Sequence, residues 1–192
     1  MELSPSFYHR LVRPKWSTRK YIHSNIKQHF PLENKVVLDF GAGTGANCTL
    51  FNPSHYYGIE PDLTRVNFAK RMYPEYSFDV FENDQIRLAD RFVDIVLIVA
   101  VLHHIPPQKV SIYIKEFQRI LKNDGRIIVI EPYLTDHNPI SNWYMNKYDN
   151  GNYIQKEDSY LDYFHQLGFK SEVLKRYRKC FFYNELFFSA YK

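Results

Sequence analysis

Apolar and polar residues follow two rhythms along this chain, and each change of rhythm marks a new element. "KVVLDF" (35–40) and "VDIVLIVAVL" (93–102) are nearly unbroken apolar runs. Runs of that kind suit strands covered on both faces, as in a parallel sheet. "YYGIE" (56–60), "EYSFDVF" (75–81) and "RIIVIE" (126–131) read as three further strands. Between them the period lengthens. "DLTRVNFAKRMY" sets Leu63, Val66, Ala69 and Arg71–Met72 near helical spacing, with Asp62 as N-cap and Pro74 as the stop. "QKVSIYIKEFQRIL" (108–121) is an amphipathic helix, and "NDG" (123–125) turns the chain into the fifth strand. "TGANCTLF" (44–51) opens a short helix closed by "NPS", and one or two short helices precede Phe30.

Strands alternating with helices predict an α/β, doubly wound parallel sheet. Right-handed crossovers place every strand-to-helix loop on one edge, where such sheets bind ligands. The end of the chain breaks the rhythm. A helix, "KEDSYLDYFHQLG" (156–168), leads into "FKSEVLKRYR" and "KCFFYNELFFSAYK" with no room for another helix between them. Two strands joined so closely must pair antiparallel. The expected fold is therefore a mostly parallel seven-stranded sheet with a C-terminal antiparallel hairpin. Residues 132–156 read as an irregular insert at the ligand edge.

At 192 residues the chain fits one domain. Its expected parts are an N-terminal helical cap (1–33), a core (34–131), the insert (132–156) and a C-terminal helix with hairpin (157–192). The net charge of +4 is too mild for a dedicated nucleic-acid binder. It is unevenly spread, over Arg10, Arg13, Lys15, Arg19, Lys20 and Lys27, and again over "KRYRK" (175–179). Such runs are most often solvated faces. Cys48 and Cys180 make no disulfide framework and match no metal-ligand spacing. The start of the chain lacks the apolar core of a secretory signal, and the longest apolar run, Ile95 to Leu102, is too short to span a bilayer. A soluble, cytoplasmic protein is expected.

Three of only seven glycines fall within residues 41–45, directly after Asp39 and Phe40. Glycine is costly in ordered structure, so the cluster implies a tight turn or a ligand that touches bare backbone. A helix N-terminus behind that turn would present free N–H groups to the ligand. The spacing is GxGxG (Gly41, Gly43, Gly45), not the GxGxxG of a dinucleotide site. Glu60 ends the second strand fifteen residues beyond Gly45 and therefore lies beside the turn. A carboxylate there can accept both hydroxyls of a ribose. Together the two features indicate a nucleoside-containing cofactor.

In order and spacing, "VVLDFGAGTG", "YYGIEPD", "DIVLIVAVLHHI" and "ILKNDGRIIVIEPY" resemble the motifs of class I S-adenosylmethionine-dependent methyltransferases. The likeness is greatest to the small-molecule branch that includes the ubiquinone-biosynthesis type. It covers roughly residues 34–134 and the closing hairpin, and it implies a Rossmann-like fold with S-adenosyl-L-methionine as cofactor. By resemblance, Asp39 and Gly41, Ala42 and Gly43 contact the methionine portion, and Gly45 is counted with them among the cofactor-binding residues. Glu60 holds the ribose, and Pro61 and Asp62 follow along the adenine. Glu82 and Asn83 fall at the adenine edge, although Glu82 replaces the usual Asp and Phe81 the usual Gly. Ala100 sits near the sulfonium.

The sulfonium is already an activated methyl donor, so this chemistry needs no metal and no covalent nucleophile. It needs alignment, and a proton acceptor for some acceptors. The candidates are His103, His104 and Glu131. Neighbouring residues point in different directions, so at most one histidine faces the acceptor, and Glu131 is expected to shape the site. "YDNGNYI" and "FFYNELFF" resemble uncharacterised methyltransferases of polysaccharide gene clusters, which implies an anionic or saccharide-linked small molecule. Two other readings stand beside this one: a non-catalytic S-adenosylmethionine-binding protein, and an RNA methyltransferase.

Overall fold

The computed structural model describes residues 15–149, 151–180 and 182–192. The basic positions Arg10 and Arg13 lie outside the described residues. Seven strands form a mostly parallel, Rossmann-like sheet in the order β3-β2-β1-β4-β5-β7-β6. The chain divides into two compact units, Met1–Ile86 and Arg87–Lys192.

In the first unit, β1 (Val37–Phe40), β2 (Tyr56–Glu60) and β3 (Ser77–Val80) pair in parallel. All four residues of β1 are buried, as its unbroken apolar run requires for a strand covered on both faces. Parallel pairing brings the carboxyl ends of the three strands to one edge. The N-terminal helical stretch runs from α1 (Lys15–Thr18) through a π-helical turn (Arg19–His23) into α2 (Ser24–His29), burying Ile22 and Ile26. Helix α3 (Leu63–Met72) starts where expected, because the Asp62 carboxylate accepts from the Thr64 and Arg65 amides.

The helix expected over 44–51 does not form. Turns lead instead to single 3-10 turns at Cys48–Leu50 and Pro53–His55. The positive φ of Gly41, Gly43 and Gly45 (74°, 57° and 79°) coils the backbone away from the α region. The short polar run that follows gives no apolar stripe to hold a longer helix. The glycine turn is thus not the mouth of a helix dipole.

In the second unit, β4 (Val93–Val99) and β5 (Leu121–Pro132) are parallel. β7 (Tyr183–Tyr191) pairs antiparallel to β5, and β6 (Lys170–Lys179) antiparallel to β7, which forms the expected hairpin. Helix α4 (Pro107–Ile120) buries Val110, Tyr113, Ile114, Phe117 and Ile120, a single apolar stripe at helical spacing. The "NDG" turn is a bulge inside β5. Its ladder jumps from Leu121 to Arg126 while β4 advances only from Val93 to Ile95. The insert is not irregular, since it contains α5 (Pro139–Tyr148), started by Asn138 accepting from the Ser141 amide. Its high Asn and Tyr content hides a good N-cap followed directly by proline at N1. Helix α6 (Glu157–His165) precedes the hairpin. Among the described residues, no helix is long and apolar enough to cross a membrane.

Candidate functional site

Each unit carries one cluster of the sequence-derived candidates. In the first, the turn after β1 is tied to the end of β2, with the Gly41 and Ala42 amides donating to the Ile59 carbonyl at 2.9 and 3.0 Å. The Gly43 amide donates to Glu60 Oε2 at 3.0 Å, and the Asp62 amide donates to Oε1 at 3.3 Å. Arg65 stands 3.9 Å from Oε1. Burial pushes the Glu60 carboxyl above its ordinary range, while Arg65 and the two amides pull the other way. Pro61 is exposed at the bend between Glu60 and the Asp62 cap.

Gly43 and Gly45 have different reasons to be glycine. A Cβ on Gly45 would lie 2.9 Å from the Phe78 ring and 3.0 Å from Tyr73, so this position is closed by packing. A Cβ on Gly43 would meet nothing nearer than the Gly41 carbonyl at 4.0 Å. Gly43 is therefore backbone left open, in a conformation that side chains rarely adopt. Below the turn, the Tyr56 hydroxyl donates to Asp39 Oδ2 at 2.6 Å, and both residues are buried. Burial and the nearby Asp39 charge raise the Tyr56 phenol well above its usual value, so it stays a donor. Sequence reasoning missed Tyr56, because a tyrosine in an apolar strand reads as core.

Glu82 and Asn83 follow β3 at the same edge, since the Phe81 amide donates to the Glu60 carbonyl at 3.0 Å. Both are exposed, and Asn83 and Asp84 take positive φ values of 61° and 53°.

In the second unit, Ala100 follows β4 with φ of 56° and donates its amide to the Ile130 carbonyl at 2.8 Å. A left-handed alanine is a strained residue of the kind that gathers at functional sites. The next three residues close over Glu131. Its Oε1 accepts from the Val101 and Leu102 amides at 2.7 and 2.9 Å, and its Oε2 accepts from His103 Nδ1 at 2.6 Å. Glu131 is fully buried and saturated with donors. It holds the loop after β4 in place.

His103 is buried, with Nε2 3.3 Å from Asp149 Oδ1. Burial disfavours its charged form, but Glu131 and Asp149 outweigh that and push the imidazole up to about 10. The Asp149 carboxyl is correspondingly lowered; burial opposes this, but His103, the Gly151 amide and the Tyr183 hydroxyl prevail. The loop beyond α5 packs closely against the His103 ring. A Cβ on Gly151 would come 1.9 Å from His103 Cδ2, and the Tyr153 amide donates to the His103 carbonyl at 3.0 Å. His104 is exposed, its ring centroid 4.1 Å from that of His103. Two adjacent histidines thus occupy opposite environments. Asp149, Gly151 and Tyr183 were not singled out as site residues by sequence, although "YDNGNYI" drew attention for another reason. A carboxylate so far along the chain from His103 leaves no periodic signal.

Helix α5 ends beside this cluster with exposed Trp143 and Tyr148, and the Lys147 ammonium lies 4.9 Å from the Trp143 ring centre. Phe182, partly exposed, stacks on Tyr144 at 4.9 Å.

Residues 15–173 match the model of a family described as "Methyltransferase domain". No curated protein matches the sequence. Among solved structures, the magnesium protoporphyrin IX methyltransferase of Synechocystis PCC 6803, with bound S-adenosylhomocysteine, is similar at 18% identity and a TM-score of 0.71. That match covers 94% of this chain and 85% of the other. A SAM-dependent methyltransferase from Aquifex aeolicus matches at 18% identity and a TM-score of 0.65, over 98% and 99% of the two chains. The PH0226 protein of Pyrococcus horikoshii OT3 matches at 15% identity and 0.73, over 94% and 92%. At these identities the likeness is one of fold.

Proposed function

Because the chain belongs to the methyltransferase domain family, we propose that it binds S-adenosylmethionine and transfers its methyl group to a small-molecule acceptor. The observation that carries this reading is the open backbone of Gly43 hydrogen-bonded to buried Glu60. The left-handed turn exposes main chain at the carboxyl edge of β1, and the carboxylate beside it suits a ribose diol. Gly41, Ala42, Gly43, Asp39 and Glu60 hold the cofactor in this reading, with Pro61, Asp62, Glu82 and Asn83 along the adenine. Gly45 serves the turn by packing. One family match runs through both compact units, which supports reading the chain as a single domain.

When bound, the cofactor supplies a methyl on a sulfonium centre, which an acceptor lone pair takes in line while the C–S pair stays on sulfur. The protein's part is to hold, orient and dispose of a proton. His103 is a positioning residue: both ring nitrogens face carboxylates, and its ring anchors the loop at Gly151. The acceptor's proton then leaves on the side of His104, the exposed member of the pair. The exposed rings of Trp143 and Tyr148 with Lys147 offer stacking and one positive charge, which suits an anionic or saccharide-linked acceptor.

Calorimetry with S-adenosylhomocysteine tests the cofactor assignment, with NAD as the control. Binding of NAD alone would overturn it. Release of S-adenosylhomocysteine in the presence of metabolite extracts separates an enzyme from a protein that only binds the cofactor.

A further inference from the structure

The two cysteines match no metal-ligand spacing, and the family resemblance implies chemistry without a metal. The second unit nevertheless gathers a donor set. His103, His104 and Asp149 each offer one ligand atom, all within 4.8 Å of one another. We propose that these three residues form a binding site for one divalent first-row transition ion, with zinc as the reference case.

Separation is the first argument. Two ligands at about 2.0–2.1 Å from a tetrahedral ion lie roughly 3.3 Å apart. His103 Nε2 and Asp149 Oδ1 stand 3.3 Å apart. That spacing also fits a long hydrogen bond, so the surroundings decide between the two.

The second argument is the support around the donors. A ligating histidine almost always donates its other ring N–H to a carboxylate or carbonyl, which fixes the tautomer and aims the ligating nitrogen. His103 Nδ1 lies 2.6 Å from Glu131 Oε2, and Glu131 is itself pinned by the amides of Val101 and Leu102. Asp149 is oriented in the same way, by the Gly151 amide at 2.7 Å and the Tyr183 hydroxyl. Both ligands thus have the outer partners that metal sites use.

Charge is the third. The Glu131 and Asp149 side chains are 0% and 13% exposed. A proton shared with His103 leaves one net negative charge between the buried Glu131 and the partly buried Asp149, whereas a divalent ion with neutral imidazoles balances both carboxylates. Burying a charge without compensation is expensive. His104 is exposed, so its ring can turn onto the ion without disturbing the core, and its side leaves coordination positions open.

Two imidazoles with one carboxylate favour zinc, iron or a neighbouring ion over magnesium and calcium, which require mostly oxygen ligands. Three protein ligands with an open position is the arrangement of a catalytic rather than a structural site. With an ion bound, His104 would hold the metal rather than take the proton itself, and an acceptor oxygen at the open position would be acidified by the ion. This last step rests on the methyltransferase reading; the metal site itself does not.

The test uses the full chain, stripped of metal by chelator and then titrated with Zn²⁺ by calorimetry and with Co²⁺ by visible absorption. One ion per chain should bind, with Co²⁺ bands of a low-coordinate site and no heat from Mg²⁺ at the same concentrations. His104→Ala and Asp149→Asn should each weaken Zn²⁺ by more than the tenfold to about hundredfold that loss of an outer partner costs. Tyr183→Phe should fall within that smaller range. A thermal melt of His104→Ala, expected near wild type because the side chain is exposed, separates lost ligation from misfolding. Absence of stoichiometric uptake, or unchanged affinity in His104→Ala, would overturn it. S-adenosylhomocysteine affinity, measured on the same samples, separates the two readings. A chain that takes zinc but no cofactor supports the metal site and sinks the methyltransferase; the reverse result sinks only the metal.

Discussion

The Gly43 amide and the Glu60 carboxylate, seventeen residues apart, are joined by a 3.0 Å hydrogen bond that locks the glycine turn onto the end of β2. Glu60 is therefore both a brace for the turn and, in the proposed function, the ribose ligand. The two roles separate by substitution. Glu60→Gln keeps an oxygen for the Gly43 amide but loses the charge. Glu60→Ala loses both. S-adenosylhomocysteine affinity should fall about tenfold to hundredfold in Glu60→Ala, the equivalent of roughly 1.5–3 kcal/mol for a charged hydrogen bond. Glu60→Gln should bind more weakly than wild type while melting like it. Calorimetry that finds Glu60→Ala unchanged removes the ribose assignment.

Gly43 and Gly45 should fail in different ways. Gly43→Val puts a branched side chain at φ of 57° on open backbone, so it should abolish cofactor binding yet leave a cooperative melt. Gly45→Ala meets Phe78 and Tyr73 as well as an unfavourable φ of 79°, and should cost about 1–3 kcal/mol of stability. Denaturant titration and calorimetry on both variants give the comparison. Both variants carry the strain of a positive φ, so loss of the cooperative melt in Gly43→Val, not a similar stability loss, would mean that Gly43 is structural too.

The adjacent histidines should divide their effects between folding and turnover. His103→Ala strands two carboxylates in a buried site and should destabilise the metal-free chain by about 3–5 kcal/mol, the usual cost of breaking a buried pair. His104→Ala should melt normally but lower turnover about 100-fold or more, with cofactor affinity retained. Near-native turnover in His104→Ala would leave catalysis to proximity alone.

Thiol titration offers an independent check of the fold. Cys48 is buried, and burial together with the charges of Asp39 and Glu75 raises its pKa far above the usual thiol range. Cys180 is exposed in the turn between β6 and β7. The native chain should react with one equivalent of an aromatic disulfide reagent, and a second equivalent should react only after unfolding. Two fast equivalents in the native state would contradict the packing beneath the glycine turn.

What the sequence determined by itself was whatever local chemistry encodes. Continuous apolar runs specified β1 and β4 as strands buried on both faces, Asp62 specified where α3 begins, and the missing helix before the last strand specified an antiparallel hairpin. That residues 41–45 form a tight turn was legible from the glycine cluster alone. Only the tertiary structure could decide the rest, because it depends on contacts between segments with no fixed spacing. Phe78, arriving from β3, is what closes Gly45 while Gly43 stays open. Glu131, arriving from β5, turns one of two identical neighbouring histidines inward and leaves the other exposed. Asp149 and Gly151 come from an insert whose Asn- and Tyr-rich sequence read as irregular, yet a capped helix carries them to His103. Side-chain direction at a strand end is set by what packs against it, and no period in a sequence records that.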